Sequence, residues 1–265
     1  MNITSTRLGL ALVVGSMLVA APAFADEVKA APAKTTIVLV HGAFAEGSAW
    51  DKVVPLLTAK GYEVVAVHEP LTSFNDDVGS VKRAIQAAPG DVVLVGHSYG
   101  GVLITEAGND PKVKSLVYIA ALAPDGNQSA NDLLKEGPPA EWLKELKVTD
   151  GFGALSPVGI AQHFAQDVPA AQQKAIAIKQ GWTAMVVFDG KPKAAAWKTK
   201  PSWYIVAKND KMIPAAAEEA MAKKINAKVT TLATSHVPMV SKPSDVATVI
   251  LAAAAAKPAD APAKK

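Results

Sequence analysis

The residues Gly96-His97-Ser98-Tyr99-Gly100 close the apolar run "DVVLV" and lead, through Gly101, into "GVLITEAG". A serine flanked by glycines between a strand and a helix is the setting for a sharp elbow. The hydroxyl projects above the sheet edge, and larger neighbours would clash. The other reading is a glycine-rich connection that binds phosphate at a helix start. Against it, "GHSYGG" has neither the G-x-G-x-x-G spacing nor a P-loop lysine. A serine hydroxyl is a weak nucleophile at neutral pH, so it needs a base within hydrogen-bond reach and a third group to orient that base.

Five histidines could supply the base. His41 and His97 stand at strand ends beside glycine turns, His68 ends a strand, and His163 lies in a region read below as a cap. His236 follows the last strand in "ATSHVPM", just before the final helix, and completes the chain order serine, acid, histidine. For the acid, "AKNDKMIP" places Asp210 after a strand and ahead of a helix, although an acid there also suits a helix N-terminus. Asp125, after "YIAALAP", is the rival from the same sheet edge.

These residues need a scaffold, and the hydrophobic pattern supplies one. "TTIVLVH", "YEVVAVH", "DVVLVGH", "SLVYIAAL", "SWYIVAK" and "KVTTLAT" read as strands. Between them lie the helix-like "AWDKVVPLLTAKG" and "NDDVGSVKRAIQAA", then "GVLITEAG", a helix from about Pro214 to Asn226 and a last one from near Ser244. Strands apolar on both faces and alternating with helices predict a parallel sheet covered on both sides, an α/β fold. The rhythm breaks between about 124 and 201, where no clear strand is visible, and this stretch is read as a helical cap insertion. Its Trp142, Trp182 and Trp197 either line an aromatic acyl pocket or pack the cap onto the sheet.

The chain has 265 residues, half of them hydrophobic and 19% charged, a globular composition with one domain over 35–256. Residues 1–25 read as a cleaved export signal: Arg7, an apolar run too short to span a bilayer, and a close on Ala23-Phe24-Ala25. An exported protein, periplasmic or secreted, follows as the expectation. Without the signal, 26 Lys and Arg face 24 Asp and Glu, a net +2 that argues for neither nucleic acid nor membrane as partner. The absence of cysteine excludes disulfides, thiolate metal sites and a lipid anchor on cysteine. The Ala-, Lys- and Pro-rich flanks, 26–34 and 257–265, read as a linker and a disordered tail. No H-E-x-x-H or dinucleotide fingerprint is present, so no metal or organic cofactor is expected.

Together "LVHGAF", "VGHSYGG", "NDKMIP" and "SHVPM" resemble the successive motifs of the α/β-hydrolase superfamily in its serine esterase branch. The likeness spans about 35–256 and is greatest to small esterases related to the plant methylesterase and hydroxynitrile lyase group. By position, the resemblance makes Ser98 the nucleophile, His236 the base and Asp210 its orienting partner. The oxyanion hole would use the backbone N–H of Tyr99 and one from Ala43 or Phe44. It implies a carboxylesterase acting on small-molecule esters, and the lack of an extended apolar lid suggests small or short-chain ones. Hydroxynitrile lyases of this kind carry a lysine after the catalytic histidine, where this chain has Val237. Related dehalogenases and epoxide hydrolases have an aspartate in place of Ser98. A member that keeps the fold only to bind a ligand is the non-enzymatic alternative.

Overall fold

The computed structural model describes Met1, residues 35–135 and residues 140–256. Apart from Met1, the expected export signal, linker and tail lie outside the described residues. In chain order the body comprises β1 (Thr36–Val40), α1 (Val54–Thr58), β2 (Glu63–Ala66), α2 (Phe74–Ala87), β3 (Val92–His97), α3 (Gly100–Ala107) and β4 (Val113–Ile119). The cap follows with α4 (Ala130–Leu134), β5 (Leu146–Thr149), β6 (Phe152–Leu155), α5 (Pro157–Gly159), α6 (Ala170–Lys179) and β7 (Thr183–Ala184). The body resumes with β8 (Ser202–Ala207), α7 (Ala215–Lys224), β9 (Lys228–Leu232), α8 (Pro238–Ser241) and α9 (Pro243–Ala254).

Six strands form one sheet in the order β2-β1-β3-β4-β8-β9, and every pairing is parallel. Strands β1, β3 and β8 are buried along their whole length, whereas β2 and β9 at the edges expose alternate or most residues. That contrast explains why the central strands read as continuous apolar runs. The helix expected after β1 opens as a 3-10 turn over Gly47–Trp50 and becomes α-helical only at α1, where Pro55 fits the first turn. Helix α2 is capped by Ser73, whose Oγ accepts the Asp76 N–H at 3.1 Å.

The chain leaves β1 on one side to make β2 and returns on the other to make β3, so the strand order reverses between β1 and β3. At such a reversal the loops after the two strands diverge to opposite faces and leave a crevice at their carboxyl ends. Val40 pairs with Gly96 there, which sets "HGAF" beside "HSYGG".

The cap differs from the helical expectation. Alongside its short helices it holds a three-stranded antiparallel sheet, β5-β6-β7. Strands β5 and β6 are joined by Asp150 and Gly151, both with positive φ (49° and 79°). An Asp-Gly pair with that geometry is the two-residue turn that matches strand twist. The strands are too short to show a period, so "VTDGFG" carried their only local signal. Among the described residues no helix is long and apolar enough to cross a membrane.

Candidate active site

Ser98 adopts φ +53°, a left-handed conformation that a side chain rarely takes and that costs about 1–3 kcal/mol. The surroundings hold it there. Its N–H donates to the Ile119 carbonyl at 3.2 Å, and its own carbonyl accepts from Gly101 at 3.0 Å and Leu122 at 3.1 Å. The flanking glycines are required by close approach: a Cβ on Gly96 would stand 2.6 Å from the Gly100 carbonyl oxygen, and one on Gly100 2.6 Å from that of His41.

Three elements converge on the elbow. The turn after β8 carries Asp210, and the loop after β9 carries His236. Nε2 of His236 lies 2.8 Å from Oγ of Ser98, and its Nδ1 lies 2.5 Å from Oδ2 of Asp210. Oδ1 of Asp210 accepts the N–H groups of Met212 at 2.6 Å and Ile213 at 2.9 Å, so three donors hold the carboxylate. An acid-oriented imidazole reaching a hydroxyl is the arrangement that activates serine. Asp125 stands apart from it, 39% exposed and paired with Lys198 at 2.5 Å.

The imidazole is also held from behind. His97 donates Nε2–H to the His236 backbone carbonyl at 2.7 Å, and Phe164 meets the His236 ring edge-on with centroids 5.2 Å apart. His97 is fully buried, and burial, followed by the charge of the adjacent His236, holds its pKa well below the ordinary histidine value. It is a neutral donor. His41 is buried, His68 is exposed and His163 lines the cavity beside the serine.

Of the three oxyanion candidates, Phe44 is already engaged: its N–H donates to Oγ1 of Thr183 in the cap at 3.2 Å. Among the described residues the N–H groups of Ala43 and Tyr99 have no such acceptor, and both residues border the cavity at Ser98. The Phe44 N–H, the alternative to that of Ala43, is thus occupied by the cap. The Phe44 ring forms cavity wall, against Trp142 and Phe188.

Local sequence pattern does not mark the buried polar groups Asp77, His41 and Glu69. The Tyr99 hydroxyl donates to Oδ2 of Asp77 at 3.1 Å, while Oδ1 accepts the Leu71 N–H at 2.8 Å. Burial raises the Asp77 pKa to about 6 against these hydrogen bonds. Beside it His41 pairs with Glu69 at 2.5 Å. Burial alone would lower the His41 pKa, and the hydrogen bond and charge of Glu69 reverse the sign. Asp76 and Asp77 both stand in the first turn of α2, and nothing in the spacing of "NDD" marks Asp77 as the inward one.

A cavity of about 1360 Å³ opens over Ser98, walled largely by apolar side chains such as Phe44, Trp142, Phe164, Phe188 and Met212. The three tryptophans separate. Trp142 lines it, with Nε1 donating to the Met212 carbonyl at 3.1 Å. Trp182 is 52% exposed and outside it. Trp197 is also outside: it is buried, donates to the Pro124 carbonyl at 2.8 Å, and carries Lys198 and Lys224 over its ring. Among the described residues no cluster of three or more His, Asp or Glu is placed to hold a metal ion.

A family model described as "Alpha/beta hydrolase family" matches residues 37–249. A pyrethroid hydrolase of Sphingobium wenxiniae is 29% identical over 259 residues, 87% of this chain and 89% of that protein. Methylesterase 3 of Arabidopsis thaliana is 32% identical over 130 residues, covering 42% of this chain and 49% of its own. Among solved structures, a pyrethroid hydrolase from Sphingobium faniae superposes with TM-score 0.72 at 25% identity over 84% of this chain and 98% of that one.

Proposed function

The chain belongs to the alpha/beta hydrolase family and is a hydrolase of its carboxylesterase type, and on that premise we propose that it cleaves esters bearing a bulky apolar group through an acyl-enzyme on Ser98. The observation that carries the chemistry is the unbroken contact Ser98, His236, Asp210 at 2.8 and 2.5 Å. His236 takes the Ser98 proton as Oγ attacks the ester carbonyl. The resulting oxyanion accepts from the N–H groups of Ala43 and Tyr99. The C–O bond to the alcohol then breaks, and His236 returns the proton to the departing oxygen. Water, activated by the same imidazole, hydrolyses the acyl-serine and restores the hydroxyl.

Substrate size is inferred from the cavity. Pockets for drug-sized ligands run to about 300–1000 Å³, and this one, at about 1360 Å³ with a largely apolar lining, is larger than an acetyl or butyryl ester would fill. It favours larger esters than the short-chain ones suggested by the sequence, as does the likeness to a pyrethroid hydrolase. The pattern of residues 1–25 supports action outside the cytoplasm, in the periplasm or medium.

The test is turnover of p-nitrophenyl esters, from acetate to bulky aryl-alkanoates, by the wild type and by Ser98→Ala. The expected result is turnover by wild type only, with kcat/KM rising as the apolar group grows. Equal activity of both proteins would refute the nucleophile, and a steady fall in kcat/KM with size would refute the substrate class.

A further inference from the structure

The triad acid has a second carboxyl beside it. Glu218, on α7, is wholly buried, whereas its neighbour Glu219 is exposed. One oxygen, Oε2, accepts the Ala207 N–H at 2.9 Å. The other, Oε1, is buried without a hydrogen-bond partner, and the Ala207 that binds Oε2 also accepts the Asp210 N–H at 3.0 Å, which ties the two acids to one residue at the end of β8. Two acceptors facing each other make no bond, so Oε1 remains orphaned as long as both groups are ionised.

One proton resolves the conflict. Two carboxylates in one dry site cannot both ionise at neutral pH. Their environments decide which keeps its proton: Asp210 receives three donors, from Met212, Ile213 and His236, and Glu218 only one. The other titratable groups acting on Glu218 add no positive charge. They are Glu219 on its own helix and Tyr204 of β8, whose phenol donates to the Ala121 carbonyl.

We propose that Glu218 is a neutral positioning residue whose carboxyl O–H donates to Asp210, holding that carboxylate aimed at Nδ1 of His236. Burial, and then the charge of Asp210, push the Glu218 pKa well above the ordinary value. The role rests on the esterase reading only through Asp210. A hydrogen bond to an ionised acceptor is among the stronger kinds, and this one lies one residue removed from the base.

Two measurements test it. In protein labelled with carbon-13 at glutamate Cδ, one carboxyl is expected to remain protonated at neutral pH and its signal to vanish in Glu218→Gln. Glutamate carbons that are all ionised at neutral pH would overturn the proposal. In the esterase assay Glu218→Gln, which keeps a donor and the shape, is expected to hold kcat/KM within about threefold, with the acid limb of its pH profile where the wild type has it. Glu218→Met is expected to lose about tenfold or more in kcat with KM little moved. Wild-type kcat in Glu218→Met, or an equal loss in both variants, would refute the role. If the wild type turned over no ester, the functional reading would fail, and the carbon-13 titration would still decide Glu218.

Discussion

His97 donates its Nε2–H to the backbone carbonyl of His236 at 2.7 Å, with the two rings 4.8 Å apart, so the residue before Ser98 holds His236 in place. Replacing it with leucine leaves a buried carbonyl without a donor, a loss of about 1–3 kcal/mol in stability. It also frees the imidazole to drift from Ser98, and small misplacements of a catalytic group are expensive. His97→Leu is expected to lower kcat about tenfold or more, and His97→Gln to recover part of that loss. Urea unfolding alongside initial rates checks both halves.

Thr183 joins the cap to the loop after β1 through the Phe44 N–H at 3.2 Å. Phe44 has φ +57°, so its loop is held in a conformation that isolated chain would abandon. Thr183→Val keeps the volume and removes the acceptor. A loss of about 1–2 kcal/mol in stability is expected, with a fall in kcat/KM as the neighbouring Ala43 N–H loses its orientation. Thr183→Ser is expected to restore both, and a Val variant with wild-type kinetics would separate the cap contact from catalysis.

Asp77 provides a pH test. Its ordinary value is 3.8 and its folded value about 6, chiefly through burial. Between those values the folded protein holds a proton that the unfolded chain has released. The contribution of Asp77 is therefore complete below 3.8 and is lost as pH rises through 6. Asp77→Asn cannot titrate. The stability of the variant relative to wild type is expected to improve as pH rises across that window, read as the difference in urea midpoints below and above it. A constant difference would mean that Asp77 does not titrate there.

The elbow glycines can be tested singly. A Cβ on Gly100 would meet the carbonyl oxygens of His41 at 2.6 Å and Val40 at 2.7 Å, backbone atoms that cannot swing aside. Gly100→Ala is expected to cost about 3 kcal/mol or more, seen as loss of soluble protein or a much lowered melting temperature. Gly61→Ala is a useful contrast: its φ is +85°, but nothing lies within 4 Å, so only backbone strain is expected.

The sheet and the three convergent residues were legible because each rests on local pattern. Buried parallel strands are continuous apolar runs, and Ser98, Asp210 and His236 each follow a strand at the carboxyl edge. What escaped depends on contacts between distant segments. The engagement of the Phe44 N–H needs Thr183, 139 residues away. The burial of Glu218 rather than Glu219 depends on how α7 faces the sheet, and "AAAEEAMAKK" surrounds both with alanines that mark no apolar stripe. The cap strands escaped because a two-residue Asp-Gly turn was the only feature stronger than their length.

The tryptophans give the sharpest test of the cavity. Trp142 lines it, packs edge-on against Phe44 at 6.1 Å and is fixed by its bond to the Met212 carbonyl, two residues past Asp210. Trp182, half exposed, lies outside it, and Trp197 is bonded to Pro124 outside the cavity. Removing the Trp142 ring takes apolar contact away from a bulky substrate but not from a small one. Trp142→Ala is therefore expected to raise KM for large aryl esters about tenfold while leaving that for acetate little changed. Trp182→Ala should move neither. A Trp182→Ala variant that loses affinity for large esters as Trp142→Ala does would mean that substrate extends over the cap surface and that the cavity is not the whole binding site.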